Sequence, residues 1–209
     1  MTADLTLTGI LIFLGILIVS LSFHEAMHAF TAYWLGDTTA KEEERLTLNP
    51  LKHVDPFTTI LLPLVLLLLG QPPFLIAKPV PFNPTRVKWG EFGAALVGAA
   101  GPLSNMFLAL VATSVLKLAG PAVGTAPYEV LVMFVQLNVA VAVFNSIPFP
   151  PLDGSRVLYA VAPDPLRRVM EQIESFGITG ILIFMFLIYR FIVPVVVFVN
   201  NFFLQVLLG

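Results

Sequence analysis

Ser22-Phe23-His24-Glu25-Ala26-Met27-His28-Ala29-Phe30 decides how the chain is read. Residues 5 to 35 carry no other charged side chain, so two histidines and a glutamate stand alone in an apolar run. If this run is helical, His24 and His28 lie four positions apart on one face, with Cβ atoms roughly 6 Å from each other. Two imidazoles so placed can grip one zinc ion. Glu25 lies about 100° round the helix from His24, where it reaches a metal-bound water rather than the metal. H-E-x-x-H divides its labour in this way between two ligands and a general base. Chance is a poor alternative, because an ionisable group at membrane depth costs several kcal/mol unless it has a partner.

The surroundings are those of a membrane. Hydrophobic residues make up 57% of the 209 positions, charged residues 11%, and mean hydropathy is +0.91. The net charge of −2 suggests no role with nucleic acid. With no cysteine, the ligand set is limited to His, Asp and Glu. The first apolar run is too long for a cleavable signal peptide and lacks a basic start.

Working outward, residues 5–35 predict a helix of about 46 Å, longer than the roughly 30 Å hydrocarbon core. Gly36-Asp37 should close it. Residues 37–56 are polar and contain His53, read as an ordinary loop histidine more readily than as a ligand. The apolar run 57–69 is too short to span as a helix, so 57–76 is expected to re-enter or to form a short span. Residues 74–88 are punctuated by proline and should be extended; an edge strand or short β-hairpin and a plain loop fit equally well.

Residues 92–119 predict a second span, whose Gly93, Ala94, Ala95, Gly98, Ala99 and Gly101 would let another helix approach closely. Residues 128–149 predict a third, ended by Pro148, Pro150 and Pro151. These prolines place Asp153 on a stiff turn, where Gly154 is expected to permit unusual backbone angles. Residues 164–176 predict an interfacial helix with Leu166, Val169, Met170, Ile173 and Phe176 on one stripe; Asp164 can cap it and Pro165 suits its first position. Residues 178–208 form a last apolar segment, one kinked helix or two. The expected fold is an all-α polytopic membrane protein of about five to six transmembrane helices with a re-entrant segment, in one membrane-embedded domain over 1–209.

Basic residues sit in three of the loops: Lys41, Arg45 and Lys52; Lys78, Arg86 and Lys88; Arg156, Arg167 and Arg168. The positive-inside rule then puts the motif end and Asp153 towards the cytoplasm. A catalytic zinc needs three protein ligands and an open position. For the third, His53, Asp153 and other carboxylates are candidates. Asp153 is favoured because it follows a span on the same side and one carboxylate balances the charge.

The sequence resembles the site-2 protease family of zinc intramembrane proteases. The resemblance rests on His24-Glu25-x-x-His28, on Ala100-Gly101-Pro102-Leu103-Ser104-Asn105, and on Asn145-x-x-Pro148-x-Pro150-Pro151-Leu152-Asp153-Gly154. Leu48-Asn49-Pro50-Leu51-Lys52-His53-Val54-Asp55-Pro56 and Ala77-Lys78-Pro79-Val80-Pro81 also look like its short prokaryotic members. The resemblance covers most of residues 10–160. It implies one zinc per chain on His24, His28 and Asp153, with Glu25 as general base. Asn145 would help to hold the scissile peptide or its oxyanion. It further implies substrates that are transmembrane proteins, a prokaryotic cell membrane as the location, and a protein that could form homo-oligomers. The chain departs from many members in having no room for a PDZ or CBS domain. Two rivals remain on sequence: a non-catalytic zinc-containing membrane binding protein, which Glu25 argues against, and a zinc transporter, for which the other apolar spans offer too few ionisable groups.

Overall fold

The computed structural model describes residues 6–53, 55, 61, 64–65, 79–177, 180, 184 and 189–209. Seven α-helices are described: α1 (Leu7–Trp34), α2 (Thr39–Glu42), α3 (Glu91–Ala119), α4 (Ala126–Asn145), α5 (Gly154–Val161), α6 (Asp164–Ser175) and α7 (Tyr189–Leu208). A 3₁₀ turn covers Pro50–Lys52. Helices α1, α3, α4 and α7 are each long and apolar enough to cross a membrane, and the chain is a helical membrane protein. Four such helices among the described residues fall short of the five to six expected. The expected re-entrant segment 57–76 lies outside the described residues apart from Leu61, Leu64 and Val65. So does most of 178–188, where a break in the last segment would fall.

The middle of the bundle is α3. It packs on α1, α4 and α5 and touches α7. Ala109 and Ala112 of α3 meet Val135, Val139 and Val143 of α4 and Leu207 of α7 in one buried cluster. Leu17 and Leu21 of α1 meet Val141 in a second. Small side chains on α3 let these neighbours approach closely, which is how helices associate where lipid removes the hydrophobic drive.

Helix α1 opens on Thr6, whose Oγ1 accepts from the Gly9 N–H. It ends where sequence predicts: Gly36 has φ +108°, and the N–H groups of Gly36 and Asp37 reach back to Tyr33 O and Ala32 O. Helix α4 stops at Asn145, four residues short of the expected 149. Pro148 biases Ile147 away from helical angles, and Pro148, Pro150 and Pro151 lack the N–H a helix needs. Helix α6 forms over the range expected of the interfacial helix. Met170 is buried against Tyr159 and Ala162, while Leu166, Val169 and Phe176 of its apolar stripe remain exposed.

No strand or hairpin occurs among the described residues. Residues 79–83 are irregular and 84–90 turn. Prolines at 79, 81 and 84 remove donors from any ladder. The Val80 N–H instead donates to Glu25 Oε2 at 2.8 Å, and the Asn83 N–H to Asp37 Oδ2 at 2.6 Å.

Asp37 is therefore a clamp. It is fully buried and also accepts from the Thr39 N–H at 3.0 Å and Thr39 Oγ1 at 2.5 Å. Burial pushes its carboxyl upward, but the Thr39 and Asn83 bonds and the Arg86 charge outweigh it and hold the pKa below the usual 3.8. Asp37→Ala leaves three donors without their acceptor and should cost about 1–3 kcal/mol, read as a lower melting temperature in detergent. The depressed carboxyl stabilises fully above its unfolded value of 3.8 and loses that contribution as pH falls through the lower folded value. The gap between wild type and variant should therefore persist from neutral pH down to about pH 4 and narrow only below it.

Candidate metal centre

His24 and His28 project from one face of α1 towards α3, as their four-residue spacing requires. Asp153 arrives from the other side at the start of α5, carried there by the proline turn after α4. His24 Nε2 lies 2.9 Å from Asp153 Oδ2, His28 Nε2 lies 3.4 Å from the same oxygen, and the two Nε2 atoms are 3.1 Å apart. Among the described residues this is the one group of three His, Asp or Glu side chains placed to hold a metal ion. Of the six candidates His24, Glu25, His28, His53, Asn145 and Asp153, the structure thus brings three together in one cluster.

The outer ring nitrogens fix what the inner ones can do. His24 Nδ1–H donates to Asn105 Oδ1 at 2.5 Å, and His28 Nδ1–H donates to Val97 O at 2.7 Å. Both acceptors are oxygens without a proton to give, so each ring carries its proton on Nδ1 and turns the Nε2 lone pair inward. Asn105 is held in turn. Its Nδ2 donates to Asn138 Oδ1 at 2.8 Å, and Asn138 Nδ2 donates to Ser20 Oγ at 2.9 Å. All three side chains are buried, and this polar chain links α1, α3 and α4 through the apolar core.

Space for the cluster comes from Gly101. A Cβ on it would lie 2.4 Å from His28 Nε2 and 2.5 Å from His24 Nε2. Gly98, one turn earlier, admits the start of α5: a Cβ there would meet Arg156 Cβ at 2.7 Å and Asp153 O at 2.9 Å. These glycines were expected to admit a helix; Gly101 admits the two imidazoles. Gly154 also differs from expectation. It sits within α5 and has no positive φ; its need is room, because a Cβ would lie 2.3 Å from Ser146 O.

Two inward lone pairs and a carboxylate oxygen, spaced 2.9–3.4 Å, suit a small divalent cation. Tetrahedral zinc with bonds of about 2.0–2.1 Å separates its ligand atoms by roughly 3.3 Å, so the residues fit this metal. The buried Glu25 stands beside the cluster rather than in it, and its Oε2 takes the Val80 N–H. Glu25, His28 and Asp153 line a cavity of about 350 Å³ walled by Pro79–Phe82 on one side and Pro151–Leu152 on another.

The other two histidine and asparagine candidates fall elsewhere. Asn145 Nδ2 donates to Val141 O at 3.0 Å within its own helix, and Asn145 does not line this cavity. His53 is buried in the loop after α1, its Nε2 at 2.8 Å from Thr47 O, and lies outside the three-residue cluster. Burial pushes its pKa down, which keeps it neutral at pH 7.

Sequence reading gave no role to Asn105 and missed Asn138. The signal was present, since an asparagine in the middle of an apolar span needs partners. Asn105→Ala removes the acceptor of His24 Nδ1–H and should weaken zinc binding by about 10–100-fold, measured by competition with a fluorescent chelator. Unchanged affinity would show that Asn105 does not orient His24.

Comparison with known proteins finds relatives named as zinc metalloproteases. The chain is similar to a Bacillus subtilis protein named "Putative zinc metalloprotease YwhC", with 41% identity over 168 residues, 77% of this chain and 74% of that protein. It is similar to the Mycolicibacterium smegmatis protein named "Putative zinc metalloprotease Rip2" at 28% identity, over 77% of this chain and 61% of that protein. Rip2 of Mycobacterium tuberculosis is 27% identical, over 79% of this chain and 63% of its own length. No family model matches the chain, and no solved structure matches it. On the extent and identity of its match to YwhC, the chain belongs to that protein's family of zinc metalloproteases.

Proposed function

We propose that this protein is an intramembrane zinc protease of the site-2 protease type. It hydrolyses peptide bonds within or next to transmembrane segments of other membrane proteins, acting as one membrane-embedded unit. The observation that carries this reading is the convergence of His24, His28 and Asp153 beside Glu25, among helices long and apolar enough to cross a membrane. A metal centre in that setting is suited to substrates that are themselves in the bilayer.

His24, His28 and Asp153 hold the zinc, which when bound supplies a Lewis acid and a water of lowered pKa. Asp153 brings one negative charge to two neutral imidazoles, and the proton held on each Nδ1 keeps the rings in register. Glu25 is the general base. Its Oε2 is oriented by the Val80 N–H, leaving Oε1 to take up a proton and pass it to the leaving amine. A substrate helix unwinds locally to enter, since its carbonyls are otherwise hydrogen-bonded within the helix. The cavity wall at Pro79–Phe82 receives the unwound main chain. Asn145 turns from Val141 O to hold the substrate carbonyl. The basic loops orient the site towards the cytoplasmic side of a prokaryotic cell membrane.

The test is reconstitution of the zinc-loaded protein into liposomes with a panel of labelled single-span proteins. Cleavage of at least one of them, stopped by zinc removal and restored by zinc, is the expected result. Zinc-dependent cleavage confined to water-soluble proteins would contradict it.

A further inference from the structure

Hydrolysis consumes water, and the centre lies among apolar helices. A cavity of about 690 Å³ beside it is lined almost wholly by apolar groups such as Ala99, Leu103, Met106 and Phe203, a poor path for water. A third cavity, of about 470 Å³, is different. Charged side chains line it, among them Glu91 from α3 and Asp164, Arg167, Arg168 and Glu171 from α6. Two residues line both this charged cavity and the 350 Å³ cavity of the metal centre: Arg156 and Glu174.

These two are bonded to each other. Arg156 Nη2 donates to Glu174 Oε1 in a close ion pair, so the bonded pair stands where the two cavities meet. Arg156 also stands between two rings. Its guanidinium lies 5.5 Å from the centre of Phe82, which lines the inner cavity, and 5.5 Å from that of Tyr159, which lines the outer one. The Arg156 stem rests against Gly98, three residues before Gly101. The side chains of Arg156 and Glu174 are 28% and 34% exposed, so water already competes for the bond and opening it costs little.

We propose that the Arg156–Glu174 pair is the polar door through which water passes from the charged outer cavity to the metal centre. This rests on the reading of His24, His28, Asp153 and Glu25 as a hydrolytic centre. When the pair parts, the guanidinium stays on the Tyr159 ring and the two cavities join. When it closes, the route from the charged outer cavity to Glu25 and the metal ligands is shut.

Two rates test this in full-length protein held in nanodiscs. Leu152 is buried in the inner cavity and the chain has no cysteine, so Leu152→Cys gives a single reporter thiol. The first rate is its labelling by a sulfonated methanethiosulfonate, which is charged and enters only through water. The second is removal of zinc by EDTA from protein with Leu152 intact. Glu174→Gln and Arg156→Ala should each raise both rates by up to about fivefold, the most that a part-exposed ion pair is worth. Zinc affinity at equilibrium should stay unchanged, which shows that the fold is kept. Glu91→Gln, which alters only the outer cavity, should leave both rates as in the parent. Unaltered rates in both door variants would overturn the proposal, and so would equal acceleration by Glu91→Gln. Neither rate needs a peptide to be cut, and labelling needs no zinc, so a failure of the protease reading would be seen separately.

Discussion

Glu25→Gln should leave zinc bound at wild-type stoichiometry and slow peptide hydrolysis by about 10²–10⁴-fold, the usual worth of a general base. The substitution is close to isosteric, and the glutamine oxygen can still accept the Val80 N–H that now bonds Glu25 Oε2 at 2.8 Å. The three cluster atoms are untouched, since Glu25 is not among them. The change therefore removes the capacity to take a proton and little else. Zinc content by atomic absorption, measured beside cleavage of a membrane substrate, separates the two effects. Wild-type cleavage with zinc bound would show that Glu25 is not the base. Loss of zinc together with cleavage would show that Glu25 is part of the ligand set.

Gly101→Ala should severely weaken zinc binding while the protein remains folded. The added methyl would sit 2.4 Å from His28 Nε2, 2.5 Å from His24 Nε2 and 2.6 Å from His24 Cε1, inside contact distance for each. Neither ring can step aside cheaply. His24 is tied through Nδ1 to Asn105 and His28 through Nδ1 to Val97 O, and both acceptors are on α3, the helix that carries the methyl. Both imidazoles must abandon those bonds together, which takes two ligands from the centre. Zinc affinity should fall by about 100-fold or more, beyond what loss of one supporting contact achieves. Helix content by circular dichroism should hold, because α3 gains a good helix former. Wild-type zinc affinity in this variant would mean that the rings do not occupy the gap Gly101 leaves.

The centre was legible in sequence to the extent that it breaks a local rule. His24, Glu25 and His28 stand out because charge at membrane depth needs a reason, and Asp153 because three prolines stiffen the turn that carries it. The supporting bonds were not legible. Asn105 and Asn138 lie 33 residues apart on different helices, and no spacing rule pairs them. Gly101 reads like any small residue in a tight helix contact until the imidazoles are seen against it. The prolines of residues 79–83 left an edge strand and a plain loop equally open, and the destination of the N–H groups was not legible, since Glu25 and Asp37 reach them only through the tertiary path of the chain. Asn145 came from resemblance alone, and its side chain bonds within its own helix.

The most direct measurement is the position of the cut. Wild type and Glu25→Gln are each co-expressed with single-span membrane proteins, and the fragments are mapped by mass spectrometry. An intramembrane protease leaves new termini within or next to the transmembrane segment, present with wild type and absent with Glu25→Gln. New termini confined to soluble regions far from the segment, or the same termini with Glu25→Gln, would contradict it.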